Sequence, residues 1–86
     1  MKTVIHGVLC DPSTATLIAK ESNEATIENL AQLNAVELYR TVSGRFFVQR
    51  SIGPQLSIEL LSRTDAMALY GSLPDRRLNF DQAFAD

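Results

Sequence analysis

The stretch from Val36 to Arg50, Val-Glu-Leu-Tyr-Arg-Thr-Val-Ser-Gly-Arg-Phe-Phe-Val-Gln-Arg, constrains the fold most, because strand-favouring residues run up to Ser43-Gly44 and resume directly after it. Valine, tyrosine, threonine and phenylalanine suit a pleated surface, and glycine supplies the positive φ of a tight reversal. The segment predicts a β-hairpin in one of two registers. A two-residue loop at Ser43-Gly44 sets Tyr39 against Val48 and Thr41 against Phe46, and leaves apolar groups on both faces. A three-residue loop at Ser43-Gly44-Arg45 with a bulge puts Leu38, Val42, Phe46 and Val48 on one face and Tyr39, Thr41 and Phe47 on the other. The second gives the cleaner buried side and is preferred. In both registers the far face keeps an aromatic, which calls for a cover from another element or a partner.

Around this hairpin the remaining segments fall into place. Lys2 to Cys10 is β-branched with a glycine in the middle, and reads as a strand bent or bulged at Gly7. Asp11-Pro12-Ser13 is a turn. Thr14 to Lys20 alternates like a strand yet is alanine-rich enough for a helix; its threonines favour the strand. Ile27, Leu30, Ala31 and Leu33 form a weak helical stripe with Glu24 and Glu28 near its start, so Glu24 to Asn34 is expected as a short helix or an irregular connection. After a turn at Ile52-Gly53-Pro54, Gln55 to Leu61 alternates as a half-wet strand. A helix follows over Thr64 to Leu73, with Thr64 as its cap, Ala66, Leu69, Tyr70 and Leu73 on the sheet, and Pro74 as its stop. Asn79 and Gln82 then open a last helical turn whose Phe80 and Phe84 clamp the tail onto the domain. The expected architecture is α+β, an antiparallel sheet of four or five strands with the C-terminal helix packed on one face, built as a single small domain over residues 1–86.

Composition bounds the function. A chain of 86 residues buries only roughly 60 to 65 % of its unfolded surface, so its core is thin. A net charge of −2 lacks the basic excess that draws a whole molecule to nucleic acid or anionic membrane. A lone Cys10 forms no internal disulfide, and no apolar run approaches the ~20 residues of a membrane span; the expected location is the cytoplasm.

Catalytic signals are sparse. His6, Cys10 and Asp11 are the only cluster of metal-ligand types, and residues four apart on an extended chain lie ~13 Å apart, too far to converge. The same His6 is the one candidate base for a thiol nucleophile. Asp75 with Asp81 and Glu24 with Glu28 read as solvated faces and helix caps, since acid catalysis needs burial or a close like charge. The four glycines are scattered and make no phosphate loop. Neither enzyme activity nor a metal or cofactor is expected. The one constellation with recognition chemistry lies on the hairpin: Arg40, Arg45 and Arg50 alternate with Tyr39, Phe46 and Phe47. Such a face stacks bases and holds phosphates, and it equally has the composition of protein-binding hot spots. Tyr39, Arg40, Arg45, Phe47 and Arg50 are therefore the expected partner-binding residues.

Three stretches, Asp11-Pro-Ser-Thr-Ala-Thr-Leu-Ile-Ala, Glu37-Leu-Tyr-Arg-Thr-Val-Ser-Gly-Arg-Phe-Phe-Val and Leu60-Leu-Ser-Arg-Thr-Asp-Ala-Met-Ala-Leu-Tyr, resemble small uncharacterised phage and mobile-element proteins. That group shows an Asp-Thr-x-Thr-Ala strand, a Leu-Tyr-Arg-Thr-x-x-Gly hairpin ending in aromatics, and a final helix opened by Ser or Thr. Pro12 departs from the pattern, and Asn23 to Asn34 shows no match. Proteins of this size and origin include anti-CRISPR proteins. The resemblance thus implies a non-enzymatic inhibitor that binds a bacterial protein complex such as a CRISPR effector. The alternatives are a small nucleic-acid-binding module using the arginines and a homodimeric structural domain.

Overall fold

The computed structural model describes residues 3–27 and 30–85, with residues 23–33 described by backbone pairing. It is α+β: a five-stranded antiparallel sheet with helices on one face and a separate two-stranded sheet on the other. In chain order the elements are β1 (Thr3–Ile5), β2 (Val8–Cys10), β3 (Thr16–Ile27), β4 (Leu30–Arg40), β5 (Phe46–Ile52), β6 (Gln55–Leu61), α1 (Arg63–Ser72), β7 (Asp75–Arg76) and α2 (Phe80–Phe84). The large sheet runs β6-β5-β4-β3-β7, so α1 carries the chain from one edge to the other. Among the described residues no helix is long and apolar enough to cross a membrane.

The first strand is a hairpin of its own. His6 and Gly7 both have positive φ, 49° and 76°, and Ile5 pairs with Val8 across them. Two consecutive positive φ values make the type I′ turn that matches strand twist, and histidine is among the side chains that enter this region most readily. The bend expected at Gly7 is therefore a full reversal. Asp11 then turns the chain as expected: its Oδ1 accepts from the Ser13 N–H and hydroxyl at 3.0 and 2.7 Å, and its carbonyl accepts from Thr14 and Ala15.

Of the segment from Thr14 to Lys20, Thr14 and Ala15 complete the Asp11 turn and the strand starts at Thr16, while neither the helix nor the irregular connection expected over Glu24 to Asn34 forms. Instead β3 and β4 pair continuously from Thr16↔Arg40 to Ile27↔Leu30, with one bulge between Leu17 and Ala19. The stripe of Ile27, Leu30, Ala31 and Leu33 was a weak local preference, and zipping up two strands already aligned by the sheet overrides it.

The central turn is three residues long, as preferred, but begins one residue earlier, at Val42-Ser43-Gly44. Gly44 donates to the Thr41 carbonyl at 3.0 Å, and Thr41 donates to the Arg45 carbonyl at 2.7 Å. Gly44, at φ 86°, takes the left-handed third position that such loops require. The shift leaves the faces intact. Leu38 lies opposite Val48 and Tyr39 opposite Phe47, two positions off the pairing that a Ser43-Gly44-Arg45 loop implies, and Val42 sits in the turn and is 87 % exposed instead of buried.

Both sheet faces are covered. On one, Ile18, Ala19, Leu38 and Phe46 meet Ala66, Tyr70 and Leu73 of the α1 segment and Ala83 and Phe84 of α2. On the other, Tyr39 and Phe47 pack with Val8 and Cys10 beneath β1 and β2. Helix α1 is capped by Ser62 rather than Thr64: the Ser62 hydroxyl accepts from the Asp65 N–H at 3.1 Å, which places Thr64 inside the first turn. The Asn79–Gln82 capping box forms as expected. It sets Phe84 between Phe46 and Tyr70, with ring centroids 5.2 and 5.6 Å away. Phe80 stays 48 % exposed on the outside of this cluster. Phe84→Ala is therefore expected to cost about 3–5 kcal/mol and Phe80→Ala less than half of that, read as urea-unfolding free energies; equal losses would contradict this packing.

Candidate partner-binding surface

The five residues expected to bind a partner do not assemble into one face. Tyr39 and Phe47 are core residues, stacked at 5.0 Å with planes 12° apart and covered by the β1–β2 hairpin. The far face that needed a cover receives it from the chain's own N-terminal hairpin. Arg40 points the other way and holds the C-terminal segment: its guanidinium donates to the Ala83 carbonyl at 3.2 Å and to the Ala85 carbonyl at 2.8 Å. Arg63 donates to the intervening Phe84 carbonyl. Arg50 pairs with Glu59 at 2.9 Å on an exposed patch, where such pairs are worth about 0–1 kcal/mol. Of the set, Arg45 alone is exposed at the turn. An interleaved arginine–aromatic platform is thus not formed, because strand alternation sends the aromatics inward and two of the arginines to structural partners.

The residues singled out for chemistry are equally dispersed. His6 lies in the β1–β2 turn, while Cys10 is buried at the open end of that hairpin. Burial pushes the Cys10 thiol up, only partly offset by the charge of Arg45. Among the described residues no three His, Cys, Asp or Glu side chains lie close enough to hold a metal ion. The phenol of Tyr39 is pushed up to about 12, chiefly by burial and then by the adjacent Glu37 carboxylate, whose Oε2 accepts the hydroxyl at 3.2 Å.

No family model, curated protein or solved structure matches this chain. What distinguishes the surface is the far end of the β3–β4 hairpin. Pairing of β4 with β5 stops at Asn34↔Ile52, and pairing of β3 with β7 covers only Ala19 and Lys20. The four pairs from Glu24↔Leu33 to Ile27↔Leu30 therefore form a two-stranded ribbon that reaches about 13 Å past the sheet. Among the described residues no third strand pairs with either side of it.

Two hollows lie at the foot of this ribbon. One, of about 220 Å³, is lined by Glu21, Asn34, Ala35, Val36, Arg50, Ser51 and Ile52. Within the same stretch the Asn34 Oδ1 is buried and accepts no hydrogen bond. The other, of about 390 Å³, is a notch between β3 and the start of β7, lined by Lys20, Glu21, Ser22, Pro74 and Asp75. Sequence reasoning missed this region because it read Glu24 to Asn34 as a short helix or an irregular connection; the signal available was a run without glycine or proline between two strand-like flanks.

Two outcomes test these placements. The raised Tyr39 pKa means the folded state holds its phenol proton more tightly than the unfolded chain does. Its stabilisation is then complete below pH 10 and lost as pH rises from 10 towards 12, by about 2–3 kcal/mol. Urea titrations of the wild type and Tyr39→Phe across that range are expected to differ by this slope, and parallel curves would refute it. Arg40→Met is expected to cost about 1–3 kcal/mol in the same assay by stranding two carbonyls; a neutral substitution would mean Arg40 does not secure the tail.

Proposed function

We propose that the protein is a non-enzymatic binding module that holds a partner protein through the projecting end of the β3–β4 hairpin and the hollows at its foot. The observation that carries this reading is the ribbon from Glu24↔Leu33 to Ile27↔Leu30, which among the described residues pairs with nothing but itself. A two-stranded ribbon in water is marginally stable and exposes unpaired backbone groups along both edges, an arrangement suited to completion by another chain. The orphaned Asn34 acceptor adds to it: a buried carbonyl without a donor costs about 1–3 kcal/mol, which a partner's N–H at that point recovers.

The likeness to phage and mobile-element proteins supplies the partner class to try first, a bacterial defence complex such as a CRISPR effector. In that role the protein acts as a stoichiometric inhibitor and requires no cofactor. Binding rests on the ribbon rather than on Tyr39, Arg40, Phe47 and Arg50, whose contacts are internal.

The test shortens the hairpin. Replacing residues 24–33 by Asn-Gly joins Asn23 to Asn34, which are already paired, by a two-residue turn and leaves every β4–β5 pair in place. The shortened chain is expected to keep its fold, seen as an unchanged cooperative melt, and to stop co-eluting with the effector complex that retains the full chain on size exclusion. Retention of the shortened chain, or elution of the full chain apart from every effector complex and host protein offered, would defeat the proposal.

A further inference from the structure

We infer that the outer edge of β6 is an interface between two copies of this chain, in which the β6 strands pair antiparallel about a two-fold axis at Ile58 and join the large sheets edge to edge. This goes beyond the binding role of the ribbon, which is built from other strands, and stands or falls separately from it.

The edge is open, and nothing in the strand blunts it. β6 is the outermost strand of the large sheet and pairs with β5 in continuous register over all seven of its residues. Among the described residues no strand pairs with its other side. Soluble proteins protect such an edge with lysine, proline, a bulge or a very short strand. The opposite edge obeys that rule, since β7 is two residues long and lies between Pro74 and Arg77. β6, Gln-Leu-Ser-Ile-Glu-Leu-Leu, carries none of these devices. The β1–β2 hairpin packs on the face of Ile58 and Leu60 and adds no strand to the edge.

Backbone parity sets the register. The two-residue loop Gly53-Pro54 is closed by the pair Ile52↔Gln55, which exchanges both backbone bonds, so Gln55, Ser57, Glu59 and Leu61 turn their N–H and C=O groups towards β5. Leu56, Ile58 and Leu60 turn theirs outward. An axis at Ile58 sets Ile58 against its own equivalent and Leu56 against Leu60 of the second copy, and each of these residues then exchanges both groups. Moving the axis to Ser57 matches Leu60 with Pro54, which has no N–H, and moving it to Glu59 sets like charges directly opposite.

Side chains agree with that register on both faces. On one, Leu56, which is 47 % exposed in the single chain, meets Leu60 of the second copy, and the two Ile58 side chains meet each other. On the other, Glu59 of the second copy stands opposite Ser57 and in line with Arg50, so the two Arg50–Glu59 pairs close into one cluster of zero net charge. A hollow of about 280 Å³ lined by Arg50, Ile52, Gln55, Leu56 and Ser57 leaves room there for the incoming Glu59 and Leu61.

Light scattering of the full-length protein over a roughly hundredfold range of concentration is expected to show the mass rising from one chain to two. At the concentrated end, amide hydrogen exchange read residue by residue by NMR is expected to slow at Leu56, Ile58 and Leu60 and to stay the same at Ser57 and Glu59, whose N–H groups β5 already holds. Leu56→Lys puts a charge on the edge at an exposed position, and is expected to keep the mass at one chain with an unchanged cooperative melt. A single-chain mass throughout, a dimer that survives Leu56→Lys, or slowed exchange without the alternation along β6 would overturn the interface. Should Leu56→Lys fail to fold, the alternation in the wild type decides alone.

Discussion

Burial of β4 and β5 on both faces is the constraint from which the rest of the molecule follows. A strand pair with Leu38, Phe46 and Val48 on one side and Tyr39 and Phe47 on the other cannot present either side to water. A chain of this length must therefore supply two covers, and it does so with its two ends: β1 and β2 close over the Tyr39–Phe47 stack, while α1 and α2 close over Leu38 and Phe46. Little is left to build anything else. The ribbon at the far end of the β3–β4 hairpin lies beyond both covers, and it is the part of the backbone that the internal packing does not account for.

Much of this was legible in the residues. The alternation of Gln55 to Leu61, the apolar spacing of the Arg63–Ser72 helix, the Asp11 turn and the Asn79–Gln82 box are local signals, each satisfied by atoms a few residues apart. Errors occurred where two local solutions were nearly equal in energy. Ser62 and Thr64 both offer a hydroxyl ahead of the helix, and Val42-Ser43-Gly44 and Ser43-Gly44-Arg45 both place a glycine in the loop. Only the former puts that glycine at the left-handed third position. The Glu24 to Asn34 segment went astray for a different reason. Its strand state is stabilised by partners across the hairpin, and that pairing is invisible in a single stretch of sequence.

The expected binding residues illustrate how composition misleads when strand parity is left out. Arginines and aromatics that alternate along a strand must point to opposite faces, so a mixed patch in the sequence is a segregated pair of faces in space. Here one face takes Tyr39 and Phe47 into the core, and the other aims Arg40 at the carbonyls of Ala83 and Ala85. The hot-spot chemistry is real, but it is directed inward. What remains open at the surface is backbone edges and the hollows at the ribbon's foot, features that depend on where neighbouring strands stop.

The arginine grip on the last helical turn also bears on the order of events in folding. Arg40 and Arg63 hold carbonyls up to 45 positions further along the chain, and Phe84 completes a cluster begun at Ile18. Closing so long a loop costs entropy before any contact forms, so the helix-side core cannot mature by local zippering alone. The β3–β4–β5–β6 meander can assemble from neighbouring strands, but one of its faces stays open until the final turn docks. Completion of the helix-side core is thus tied to contacts far apart in the sequence.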